Sequence, residues 1–252
     1  MGSAGLLNYT RQGHGPTLVL LHYFGGSAWT WQPVMGLLAD RFDCLAPDLR
    51  GWGGSQGDYS SFAVDDMADD VADLLQCLGV TRFALAGHSL GGKVAQVLAT
   101  RQPPGLTRLL LVAPSPLTPE PMTEQTRARL RAAWGNAEQC QRILGEITTR
   151  PLPVALAESV IADNLRASPA AWAAWTDRAS REDLGTRTAQ ITVPTFVLAG
   201  ADDDPLSPAY LQTRVADTIA GAVLQTVPDA SHLLPLEAPS AVADFLRAHI
   251  TP

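Results

Sequence analysis

The sequence predicts an α/β fold: a mostly parallel central sheet with helices on both faces, and a helical segment inserted between two of the strands. Three observations carry this prediction. Short apolar runs recur from one end of the chain to the other, helix-period segments lie between several of them, and the stretch 117–181 carries helical pattern without a convincing strand. Runs that are apolar throughout, rather than alternating, belong to strands covered on both faces. Strand and helix in alternation then give a layered sheet.

The strand candidates are Thr17–Leu21, Phe42–Ala46, Arg82–Ala86, Leu109–Ala113, Thr195–Ala199 and Val223–Val227. Val64–Leu78 reads as an amphipathic helix, with Met67, Val71, Leu74, Leu75 and Leu78 along one stripe. Asp65, Asp66, Asp69, Asp70 and Asp73 lie largely opposite, an acidic stripe read as a solvated face. Leu90–Thr100 and Ser240–His249 are the other clear helices. Pro114, Pro116, Pro119 and Pro121 then interrupt the rhythm, and helical stretches follow. Asn136 with Gln139 resembles a capping box, and Ser168-Pro169 an N-cap followed by proline at the first helical position. The expected organisation is a core of residues 1–116 and 182–252 with a helical cap, 117–181, inserted between strands. Trp134, Trp172 and Trp175 fall in that cap, where tryptophans pack a small core, line a pocket, or do both.

A chain of 252 residues, 46% hydrophobic and 17% charged, is long enough for one large domain and too apolar for disorder. It has no apolar run of roughly 18 residues, so no membrane span is expected. Met1–Asn8 lacks the basic and apolar regions of a secretory leader. A net charge of −7 argues against nucleic acid as a partner. Cys44, Cys77 and Cys140 are scattered and form no Cys-x-x-Cys, so neither a disulfide framework nor a zinc site is expected and a cytoplasmic location fits. No cofactor is expected either.

Two stretches match Gly-x-Ser-x-Gly: Gly53-Gly54-Ser55-Gln56-Gly57 and Gly87-His88-Ser89-Leu90-Gly91. A serine lifted out of a sheet for attack needs a strand running directly into it and a helix leaving directly from it. Phe83–Ala86 and Leu90–Thr100 supply both around Ser89, whereas Ser55 has loop on either side. Ser89 is therefore the candidate nucleophile and Ser55 a turn residue. The helix beginning at Leu90 aims its free amides at the site, and the Leu90 amide is a candidate oxyanion donor. Gly87-x-x-x-x-Gly92-Lys93 also matches most of a phosphate-binding loop. Val94 stands where Ser or Thr would hold magnesium, and the next apolar strand ends in Pro114 rather than a metal-binding aspartate. The dinucleotide fingerprint fails at Gln56.

A serine nucleophile needs a base, and the base an orienting acid. Of five histidines, His14 lies in an early loop, His22 in a glycine-rich turn, His88 beside the serine pointing away, and His249 at the end of the last helix. His232 lies between the last strand and the last helix, where active sites of open α/β sheets gather. The acid belongs between Ser89 and His232 in chain order. Asp202-Asp203-Asp204 follows the strand Thr195–Ala199, with Ser207-Pro208 already supplying the next helix cap. At least one of these carboxylates is free to orient His232.

With these residues assembled, nearly the whole chain resembles an α/β-hydrolase-fold enzyme of the lid-bearing lipase/esterase type. Leu20-Leu-His22-Tyr23-Phe24-Gly-Gly-Ser27 resembles the family's first oxyanion loop, with Tyr23 where glycine is common, and the resemblance implies that the Phe24 amide is the second oxyanion donor. Asp48-Leu-Arg-Gly-Trp-Gly-Gly-Ser55 resembles a structural turn of the family. The resemblance points to the acid in two ways: spacing from Gly200 selects Asp203, and the Asp-Pro-Leu sequence selects Asp204. Asp203 is preferred because distance from the strand end limits where a carboxylate reaches. The implied activity is hydrolysis of a carboxylic ester by Ser89, His232 and Asp203, with a small acyl substrate and water as the partners. Lactonase, carbon–carbon bond hydrolase and peroxyacid-forming activities keep the same triad, while branches of the family with an aspartate nucleophile are disfavoured. A ligand-binding receptor on this fold is the alternative of another class.

Overall fold

The computed structural model describes residues 7–250. The reading of Met1–Asn8 as lacking a leader falls almost wholly outside them. Seven strands form one sheet in the order β1-β3-β2-β4-β5-β6-β7. They are β1 (Tyr9–Gly13), β2 (Thr17–Leu21), β3 (Asp43–Pro47), β4 (Phe83–His88), β5 (Leu106–Val112), β6 (Thr195–Gly200) and β7 (Val223–Val227). All pairings are parallel except β1 with β3.

The helices that cover the sheet are α1 (Gln32–Leu38), α2 (Val64–Cys77) and α3 (Leu90–Thr100). Between β5 and β6 run α4 (Glu124–Ala133), α5 (Ala137–Glu146), α6 (Val154–Arg166) and α7 (Pro169–Asp177). The chain then gives α8 (Pro208–Arg214), α9 (Leu234–Glu237) and α10 (Pro239–Ile250). The caps expected from sequence form: Asn136 Oδ1 accepts from the Gln139 amide, Ser168 Oγ from Ala171 and Ser207 Oγ from Tyr210.

Alternation along each central strand feeds two cores. Val19, Leu21, Leu45 and Leu85 join the face covered by α2 and α3. Leu18, Leu20, Cys44 and Ala84 join the face covered by α1 and α10. This is why the strands read as unbroken apolar runs. On α2, Met67, Val71, Leu74 and Leu75 are buried, each side chain worth roughly 1.5–3 kcal/mol.

Three features differ from the sequence reading. Strand β1, Tyr-Thr-Arg-Gln-Gly, has no apolar run; it forms because its backbone pairs with β3 along the edge and because Arg11 Nη2 meets Asp43 Oδ2 at 2.7 Å. Strand β7 is the other edge and is mostly exposed, with Val227 its one buried residue. The acidic stripe of α2 is largely paired rather than simply solvated. Arg50 grips Asp70 with two donors at 2.5 and 2.7 Å, Arg101 meets Asp65 and Asp69, and Arg187 meets Asp65. Two-point guanidinium–carboxylate pairing is the strong form of this contact.

Candidate active site

Ser89 stands at the junction of β4 and α3 with φ 52° and ψ −116°. A serine held at positive φ is strained, and the packing around it maintains the strain. The flanking glycines are steric necessities: a Cβ on Gly87 would lie 2.3 Å from the Gly91 carbonyl oxygen, and one on Gly91 would lie 2.5 Å from those of Leu21 and His22. Strands β2 and β4 and helix α3 converge there, and every residue of α3 is buried. Among the described residues, no acceptor meets the amide of Leu90 or that of Phe24.

The loop carrying His232 is fixed on several sides. The His232 amide donates to the Ile147 carbonyl at 3.1 Å, and its own carbonyl accepts from His88 Nε2 at 2.8 Å. The His232 ring lies with Nε2 2.9 Å from Ser89 Oγ and Nδ1 2.7 Å from Asp203 Oδ2. With Nδ1–H donating to the carboxylate, the Nε2 lone pair faces the serine hydroxyl. Of the three consecutive aspartates, Asp203 makes this contact and is 1% exposed; its other oxygen accepts from the Leu206 amide. Asp202 turns to Thr149, and Asp204 borders the cavity. Burial presses the His232 pKa down, but the charge of Asp203 and its hydrogen bond raise it above the usual 6.5.

The remaining candidates are placed elsewhere. His22 is buried with Nδ1 donating to the Tyr23 carbonyl and Nε2 accepting from the Leu49 amide, which fixes one neutral tautomer. Ser55 Oγ accepts from the Asn8 amide, as a turn residue does. Lys93, which completed the phosphate-loop pattern, is buried, and Nζ donates to the carbonyls of Glu182 at 2.8 Å and Thr118 at 3.3 Å. Its ammonium therefore ties together the two chain ends that flank the inserted helices instead of facing a phosphate cradle.

A cavity of about 370 Å³ opens beside Ser89 and His232, with Phe24, Leu130, Ile143, Trp172 and Trp175 among its walls. Trp172 and Trp175 both pack and line the cavity, whereas Trp134 is 41% exposed and lines none of it. Helix α6 reaches the loop that carries Phe24. Asn164 Nδ2 donates to the Gly25 carbonyl at 2.8 Å, and Ser27 Oγ donates to Asp163 Oδ2 at 2.6 Å. Asp163 also pairs with Arg166, and burial raises its pKa. Sequence reasoning missed Glu120, Asp163 and Asn164. No local pattern marks them, because only the fold brings the inserted segment against the sheet edge.

Known proteins share this fold. The alpha/beta hydrolase family profile matches residues 18–245. A soluble epoxide hydrolase of a Corynebacterium species is 27% identical, over 98% of this chain and 94% of that protein. A 2-(acetamidomethylene)succinate hydrolase of Mesorhizobium japonicum is 26% identical, over 96% and 92%. The solved structure of a thermophilic esterase from Thermogutta terrifontis superposes with a TM-score of 0.78 at 28% identity, covering 96% of this chain and 92% of that one. An uncharacterized protein of Mycobacterium tuberculosis is 40% identical over 106 residues, and this match spans only 31% of its length. The profile covers almost the whole described chain and the sheet order agrees with it: the protein belongs to the alpha/beta hydrolase family.

Proposed function

We propose that the protein is a serine hydrolase that cleaves a carboxylic ester or related acyl bond through an acyl-enzyme. The observation that carries this reading is the hydrogen-bonded line from Ser89 through His232 to Asp203, together with the Phe24 and Leu90 amides, which lack acceptors. In this reading the substrate carbonyl oxygen sits between those two amides. His232 takes the Ser89 proton as Oγ bonds to the carbonyl carbon, and Asp203 stabilises the resulting imidazolium. The imidazolium then protonates the departing alcohol, leaving an ester on Ser89. Water deprotonated by His232 attacks that ester, and Ser89 recovers its proton.

Serine favours acyl transfer over opening of an epoxide or carbon–halogen bond. Alkylated serine would be an ether, which water does not cleave, whereas acylated serine is an ester, which it does. The likeness to the Thermogutta esterase agrees with this. The inserted segment 117–181 serves here as a cap over the cavity, and three unpaired cysteines agree with a cytoplasmic place. No helix among the described residues is long and apolar enough to cross a membrane.

Intact-mass analysis after incubation with a small fluorophosphonate tests the reading. A single adduct mapped to Ser89, absent in Ser89→Ala, is expected, and Ser89→Ala should lose about 10⁴-fold or more in kcat on any ester the protein hydrolyses. Folded protein that takes no adduct, or full turnover by Ser89→Ala, overturns it.

A further inference from the structure

One side chain of the cavity has no part in the chemistry proposed above, and a role for it rests on that serine-hydrolase reading. Glu120 precedes α4 and borders the cavity with Ser89 and His232. Its backbone is fixed at both ends: the amide donates to the Ser180 carbonyl at 2.9 Å, and the carbonyl accepts from the Met122 amide at 2.7 Å. One carboxylate oxygen accepts from Ser115 Oγ, and the Ser115 amide in turn donates to the Ser89 carbonyl at 3.0 Å. Glu120 is therefore tied to the nucleophile's own turn. Among the described residues, its second oxygen meets no hydrogen-bond donor and no cation within 4.0 Å.

The charges that face it are engaged elsewhere. Lys93 donates to the Thr118 and Glu182 carbonyls, and Arg127 to Thr176 and Ser180. His232 is held by Asp203. The remaining cation of the cavity wall, Arg129, pairs with Glu146 at 2.7 Å. Glu120 is closely surrounded, and that enclosure raises its pKa, yet the residue is not fully buried. It is one of the residues that form the cavity wall.

A carboxylate facing an apolar cavity costs free energy, and a glutamine could have accepted from Ser115 without that cost. The cost is recovered when a cation enters, because Coulomb attraction is strong where water is excluded. Phe24, Trp172 and Trp175 line the same cavity and present the aromatic surfaces over which a cationic nitrogen is also stabilised. We propose that Glu120 forms a subsite for a positively charged nitrogen carried by the substrate, so that the protein prefers esters bearing an amine or quaternary ammonium group over neutral or anionic esters of the same shape.

Acetylthiocholine and its neutral carbon isostere, 3,3-dimethylbutyl thioacetate, present the same thioester with and without the charge. Wild-type kcat/KM is expected to favour the cationic ester by about tenfold, and Glu120→Gln to bring the ratio within about twofold of one. A wild-type ratio near or below one, or a ratio unchanged in Glu120→Gln, overturns the subsite. Should neither thioester turn over, protection of Ser89 from the fluorophosphonate replaces the kinetic reading. Butylammonium ion is then expected to slow labelling of the wild type and not of Glu120→Gln, and equal effects on both proteins overturn the subsite. Absence of labelling altogether overturns the hydrolase reading instead, which keeps the two failures distinct.

Discussion

In the proposed mechanism His232 acts as a base only while neutral, so its environment would set the acid limit of activity. Asp203 and its hydrogen bond raise the His232 pKa above 6.5 against the opposing effect of burial. The base is then lost as pH falls through a value higher than an ordinary histidine shows. A kcat/KM–pH profile should rise with pH through an apparent pKa above 6.5, and Asp203→Asn should shift that limb to lower pH while cutting the rate. An unchanged limb in Asp203→Asn would remove Asp203 from its role. At this scale the sequence was informative where chemistry has a local signature. Ser89 stood out because glycines, strand and helix surround it, and His232 because of its place after the last strand. Glu120, Asp163 and Asn164 had no such mark, since their partners Ser115, Ser27 and Gly25 lie in other segments.

Helix α6 and the residue that follows α5 hold two loops of the site. Asn164 and Asp163 grip the loop around Phe24, and the Ile147 carbonyl accepts from the His232 amide. In the proposed mechanism the geometry of the site therefore depends on the inserted helices as well as on the sheet. Asn164→Ala leaves the Gly25 carbonyl without its donor and frees the Phe24 amide to move. In steady-state kinetics kcat should fall about tenfold with KM within about twofold. An unchanged kcat would show that the loop holds its shape alone. Gly91→Ala forces a methyl against the carbonyls of Leu21 and His22. It should lose at least about 3 kcal/mol in urea unfolding or fail to accumulate as folded protein. The edge elements show why part of the fold was hard to read. Central strands advertise themselves because both faces are apolar, but β1 is defined by backbone pairing and an ion pair that only its neighbour reveals. The charges of α2 read correctly as polar, yet their partners Arg50, Arg101 and Arg187 come from three other parts of the chain.

For the molecule as a whole, Lys93 fastens the inserted helices to the core at the cost of a buried ammonium. Burial lowers its pKa from 10.5 to about 8. The unfolded chain therefore binds more protons than the folded one between about pH 8 and 10.5. The penalty is fully present below that window and is relieved as pH rises through it. Wild-type stability relative to Lys93→Met should increase across this range by on the order of 3 kcal/mol, read from urea midpoints at successive pH values. A constant difference would mean that Lys93 is not proton-linked to folding. The same residue is the only lysine of the chain, the other basic side chains being arginines and histidines. Because it is buried, acylating reagents directed at amines pass it by on the folded protein. Release of Lys93 to such a reagent would therefore report unfolding, with one lysine adduct per chain as the signal.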